Sequence, residues 1–143
     1  GADTRNNPKS EACSDYLKMV TILMIGAGGF LGAVARYVVS GWAQAINGNG
    51  SFPWGTLAVN LIGCILIGIL MGVTENRQWF TPETRAFALV GLLGGFTTFS
   101  TFGYETFSLL KDGAVLAGAA NIVLQLSLGI GGAGIGYLVG RWI

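Results

Sequence analysis

The groups in this chain that are able to meet an ion are few, and they sit inside apolar stretches: Asn60, Glu105 and the run from Gly91 to Phe102. From Gly94 to Phe102 the run packs paired glycines, four hydroxyls and three phenylalanines into nine residues. Glycine weakens a helix by about 1 kcal/mol relative to alanine. Thr97 and Thr98 are β-branched, and serine or threonine hydroxyls bond back to the preceding turn and bend it. Sharp kinks sit at such clusters. One reading is a broken helix whose freed backbone and hydroxyls line an ion path, because irregular backbone at membrane depth survives only inside protein or beside a water-filled cavity. The other is a closely packed helix with its hydroxyls bonded internally. The stretch alone leaves both open.

The flanking candidates carry the same double reading. Phe99 and Phe102 lie three residues apart and share a helix face. As membrane side chains they pack; as ring edges, which are positive, they can polarise toward a small anion without trapping it as a fixed charge would. The Asn60 amide either bonds a neighbouring helix or offers its NH2 to an anion in a cavity. Glu105 is the one carboxylate embedded in an apolar segment, a costly placement that marks function unless the group reaches the interface. Thr101, one turn earlier, shares its face. Arg36 is an interfacial anchor or a cation at a pore mouth that concentrates anions. Asn121 and Gln125 form an i,i+4 amide pair near the start of the last apolar segment.

The elements that must hold these groups are membrane helices. The 143 residues are 52% hydrophobic and 10% charged, with a mean hydropathy of +0.61, where a soluble domain carries about 25% charge. Apolar segments run over residues 17–39, 56–73, 82–110 and 114–143, each long enough to cross a roughly 30 Å hydrocarbon core. An all-α integral membrane fold of four transmembrane helices is expected, the third broken near its middle. Pro82 suits the first turn of that third helix, and Lys111-Asp112-Gly113 reads as a tight turn. Gly28/Gly32, Gly68/Gly72 and Gly132/Gly136/Gly140 are spaced to let helices approach closely. Trp42, Trp54, Trp79 and Trp142 fall at or beside the segment ends, as in aromatic belts. Lys18, Arg77, Arg85 and Arg141, joined by Arg5 and Lys9, would face one side, and Arg36 and Lys111 the other. So slight a bias leaves insertion both ways compatible. Four helices enclose little interior, which favours an oligomer with its pathway between subunits. Residues 1–16 are expected to be a polar leader, disordered or added for expression, outside a channel domain of residues 17–143.

Other functions find little footing. The chain has no histidine, so the usual general base and metal ligand are missing. Cys13 and Cys64 lack metal-site spacing. Gly129 to Gly134 matches G-x-G-x-x-G, but no strand precedes it and too little chain follows for a βαβ unit. An enzyme is not expected, and a net charge of +1 suggests no nucleic-acid partner.

Three motifs, Gly28-Gly29-Phe30-Leu31-Gly32-Ala33-Val34-Ala35-Arg36-Tyr37, Gly55-Thr56-Leu57-Ala58-Val59-Asn60 and Gly94-Gly95-Phe96-Thr97-Thr98-Phe99-Ser100-Thr101-Phe102, together resemble the signatures of Fluc-type fluoride channels, the CrcB family. The resemblance covers essentially the whole chain after the leader, and its third motif is the most specific. It implies an antiparallel dual-topology homodimer in the plasma (bacterial inner) membrane, with two pores for passive F− efflux that protects the cell from fluoride toxicity. It also implies a structural Na+ on the dimer axis, held by the carbonyls of Gly94 and Thr97. By position Asn60, Phe99, Ser100, Thr101, Phe102 and Glu105 would line the fluoride path and Arg36 its vestibule. The fourth-helix polar track would fall at Asn121, with Gln125 as a further member. The alternative is a small proton-coupled multidrug-type transporter, which relies on a first-helix glutamate absent from this first segment; Glu105 lies in the third. A non-transporting helical assembly would account for the glycines but leaves Asn60, Glu105 and the hydroxyls unexplained.

Overall fold

Close glycine contacts, rather than a wide apolar core, bring the helices of this chain together. A computed structural model describes residues 8–48, 50–76 and 80–143. Helix α1 spans Pro8–Ile46, α2 Trp54–Asn76, α3 Pro82–Arg85, α4 Gly94–Phe96, α5 Phe99–Lys111 and α6 Val115–Trp142, with a π-helical stretch Ala86–Leu93 joining α3 to α4. Among the described residues, four spans are long and apolar enough to cross a membrane, the third being the composite Pro82–Lys111. Arg5, Arg77 and Trp79 lie outside the described residues, as do the side chains of Lys9 and Cys13.

Two boundaries differ from expectation. Helix α1 already includes residues 8–16 and continues past residue 39 to Ile46, so Arg36 lies within it, ten residues before its end. At 39 residues α1 is roughly 58 Å long, about twice the hydrocarbon thickness. Trp42 is therefore inside the helix. The stop comes later, at Gly48, whose φ of +81° is a left-handed conformation that favours glycine. The other turn behaves as expected. Gly113, at φ +79°, ends α5 while the Ala114 amide bonds the Leu109 carbonyl at 2.9 Å and the Gly113 amide bonds that of Leu110 at 3.1 Å. Thr81 caps α3 through the Thr84 amide, with Pro82 in the first turn.

Helices α2 and α6 interlock through two glycine rows. A Cβ added at Gly68 or Gly72 would strike the carbonyls of Ala133 or Tyr137, and one added at Gly136 or Gly140 those of Ile65 or Ile69. Helix α1 meets the first half of the third span in the same way. Gly28 and Gly32 lie against the backbone of residues 87–96, and Gly91 and Gly95 against that of Ile25 and Gly29. At such distances packing and weak backbone contacts hold membrane helices together. Gly136→Ala should therefore force α2 from α6 and cost about 1–3 kcal/mol. Gly134→Ala, where a Cβ meets nothing within 4 Å, should leave stability unchanged or slightly raised. Thermal unfolding of the two variants in one detergent separates them.

The expected break is present. Thr97 and Thr98 are extended, at φ −83°, ψ 160° and φ −151°, ψ 114°, a conformation their β-branching suits. The amide of Thr97 still closes the first half by bonding Leu93 O at 3.0 Å, and Thr98 opens the second half as N-cap of α5. Gly63 on α2 makes room for the Thr97 methyl.

Candidate functional site

A break in a membrane helix frees backbone groups that something must satisfy. Here Asn60 of α2 does so from both sides. Its Oδ1 accepts the Thr98 amide at 2.8 Å and its Nδ2 donates to the Thr98 carbonyl at 3.1 Å. The second Nδ2 proton goes to Gln125 Oε1 of α6, also at 3.1 Å. The amide is thus fully engaged. Thr98 Oγ1 in turn accepts the Thr101 amide at 3.2 Å, contacts Thr101 Oγ1 at 2.9 Å and lies 3.3 Å from Ser100 Oγ. The hydroxyls of Thr98, Ser100 and Thr101 form one cluster at the N-terminus of α5, where the helix dipole is positive, while that of Thr97 bonds back to Leu93 O at 3.0 Å.

These bonds have a consequence for the carbonyls. In a continuous helix Gly94 O would accept from Thr98 and Thr97 O from Thr101, but those amides are bonded to Asn60 Oδ1 and Thr98 Oγ1. Two carbonyls are left without their helical partners beside a cleft that Gly94 and Thr97 both line.

That cleft, about 360 Å³, holds Asn60, Phe99, Phe102 and Gln125 among apolar neighbours including Cys64. The two rings meet edge to face, centroids 5.5 Å apart and planes at 64°. Phe99 is 81% exposed in the single chain, and Tyr104 and Phe107 of α5 are exposed as well. Gln125 Nε2 is buried here without a partner. On the other side of the break lies a wider cleft of about 620 Å³ lined by Arg36, Tyr37, Thr56, Thr101 and Glu105. Thr98 borders both clefts. Thr56 donates to Glu105 Oε1 at 2.8 Å, and Glu105 Oε2 is buried without a partner. Gln44 staples the α1–α2 loop over this mouth, accepting the Gly55 amide and donating to the carbonyls of Gly50 and Phe52.

The candidates from sequence divide accordingly. Asn60, Phe99 and Phe102 meet at the narrow cleft; Arg36, Thr101 and Glu105 meet at the wide one. Ser100 joins through the cluster and lines neither. Asn121, expected on the fourth-helix track, is fully buried, borders neither cleft and donates to Thr106 Oγ1 at 2.9 Å. Thr56, Gln44 and Thr106 were not singled out in sequence. Thr56 was within reach, since it precedes Asn60 by four residues and shares its helix face.

Four membrane-capable spans, one interrupted and bracketed by two clefts, define a multi-pass membrane protein organised around a broken helix. Residues 23–137 match the family described as "CrcB-like protein, Camphor Resistance (CrcB)". The chain belongs to the CrcB family. It is 45% identical over 123 residues to the fluoride-specific ion channel FluC of Geobacter sulfurreducens, covering 86% of this chain and 98% of that one. It is 42% identical over 125 residues to the protein of the same name from Clostridium novyi, covering 87% and 96%. To fluoride-specific ion channel FluC 1 of Methanosarcina acetivorans it is 47% identical over 112 residues, covering 78% and 84%.

Proposed function

We propose that this protein is a fluoride channel of the cell membrane that lets F− leave down its electrochemical gradient and so protects the cell from fluoride. The observation that carries the reading is the narrow cleft at the break, where two phenylalanine rings adjoin a polar amide pair. A small anion holds its water tightly, so a pore must replace that shell with compact donors. Phe99 and Phe102 supply ring edges, and Gln125 Nε2 is the amide proton donor still without a partner. Asn60 holds the break, and its second N–H turns from Gln125 Oε1 to an arriving anion. Thr101, Ser100 and the α5 N-terminus add hydroxyls and positive potential. Arg36 draws anions into the wide mouth, and Glu105, fixed by Thr56, lines that mouth together with Thr98. Several weak sites in series allow exit as well as entry. Asn121 stays off this path.

The assembly is an antiparallel homodimer, for which the support is the open cleft and the exposed face of α5. The carbonyls of Gly94 and Thr97 from two copies would supply an oxygen set that suits a hard cation, and a structural Na+ there would lend positive potential to the neighbouring anion path. In cells lacking their own fluoride channel, expression of this protein should restore growth in fluoride. Cells that stay as sensitive as the deletion strain despite membrane expression would contradict the proposal. Cross-linking that captured only parallel pairs would overturn the assembly.

A further inference from the structure

Asn121 is fully buried, while the other buried polar side chains, Thr56, Thr98 and Thr106, keep 3–9% of their surface exposed. Its Nδ2 donates to Thr106 Oγ1 at 2.9 Å, and Thr106 Oγ1 donates to the Phe102 carbonyl at 2.8 Å. Its Oδ1 is buried with no partner. An apolar side chain would occupy that space without an unmet acceptor, so packing alone does not explain an amide here. What the amide supplies is a directed bond from α6 into the turn of α5 that carries Phe102.

The placement of that bond is informative. At its far end α5 is seated on α6 by apolar contact, with Leu109 buried and Leu110 lying over Gly118. At the break it is held by Asn60, which Gln125 of α6 also bonds. Between the two ends, Asn121 is the polar peg. Apolar surfaces slide and rotate past one another at little cost, whereas a buried hydrogen bond has one register.

We infer that Asn121 is a positioning residue: acting through Thr106, it fixes the rotation of α5 and thereby the angle at which Phe102 meets the ion. This rests on the fluoride-channel reading for its functional consequence, but the contact chain itself does not. Three variants test it: Asn121→Leu, Thr106→Val and the double variant, with Thr106→Ser as the conservative control. Each single change should lower fluoride efflux from vesicles about tenfold and raise chloride passage relative to fluoride, with the assembly intact on size exclusion. The double variant should be no worse than either single one, because both break the same chain, and Thr106→Ser should stay near the unmodified protein. Amide hydrogen exchange should rise over residues 99–106 in Asn121→Leu while α2 and the glycine rows of α6 keep their protection. That arm reads positioning even if the unmodified protein passes no fluoride, so the two failures are distinguishable. Unchanged exchange in α5, or lowered thermal stability with efflux and selectivity intact, would overturn the inference. Fully additive losses in the double variant would also overturn it, since Asn121 would then act apart from Thr106.

Discussion

Replacing both Phe99 and Phe102 with isoleucine should reduce fluoride efflux by on the order of 100-fold while leaving a folded assembly. The rings contact one another edge to face and line the narrow cleft, and Phe99 is largely exposed in the single chain. Neither carries a backbone-satisfying bond, so isoleucine fills comparable apolar volume at modest cost. What it lacks is a positive ring edge. If each ring contributes about 1 kcal/mol to a dehydrated anion, losing two removes about 2 kcal/mol, and loss of the shaped constriction adds to it. Each 1.4 kcal/mol is a factor of ten. Efflux at the unmodified rate from the double variant would reduce both rings to packing residues.

Asn60→Asp should be still more damaging, in two measurements at once. The carboxylate can accept the Thr98 amide as Asn60 Oδ1 does, but it has no protons for Thr98 O or Gln125 Oε1. Two acceptors would then face a charged oxygen in a part-buried site, a loss of about 2–4 kcal/mol of stability. The negative charge would also stand beside the anion path. Fluoride efflux should fall to the level of protein-free vesicles, and the thermal midpoint should drop. An Asn60→Asp protein that is as stable as the parent and conducts normally would mean that Asn60 neither closes the break nor borders the path.

Much of this arrangement is visible in the residues. The four spans follow from apolar length, and the glycine rows name the surfaces that touch: Gly68 and Gly72 do meet α6, and Gly28 and Gly32 do meet the third span. The break follows from Gly94, Gly95, Thr97 and Thr98, whose propensities agree. The apolar segment stops near residue 39, yet the backbone stays helical to Ile46 and turns left-handed only at Gly48. Nothing in the residue types of 86–93 announces a π-helical stretch, within which Gly91 lies close against α1. Gly91/Gly95 is itself a packing pair that was masked by the more conspicuous Gly94-Gly95.

At the site, residue identity was easier to read than residue partnership. Asn60 stood open between packing and anion contact because its partner is the backbone of Thr98, which becomes available only once the helix is broken. Asn121 and Gln125 looked equivalent as an i,i+4 pair. The fold separates them, seating one wholly against Thr106 and bringing the other to Asn60 in the narrow cleft. Spacing reports which face a side chain shares, whereas depth depends on the neighbouring helix.

The central claim is that the break forms an uncharged passage fitted to the smallest halide. It is tested most directly by loading lipid vesicles containing the purified protein with equal potassium fluoride and potassium chloride, adding a potassium ionophore, and following both anions with ion-selective electrodes. Fluoride should leave far faster than from protein-free vesicles while chloride stays inside. No fluoride release above the protein-free rate, or chloride leaving as readily as fluoride, would contradict it.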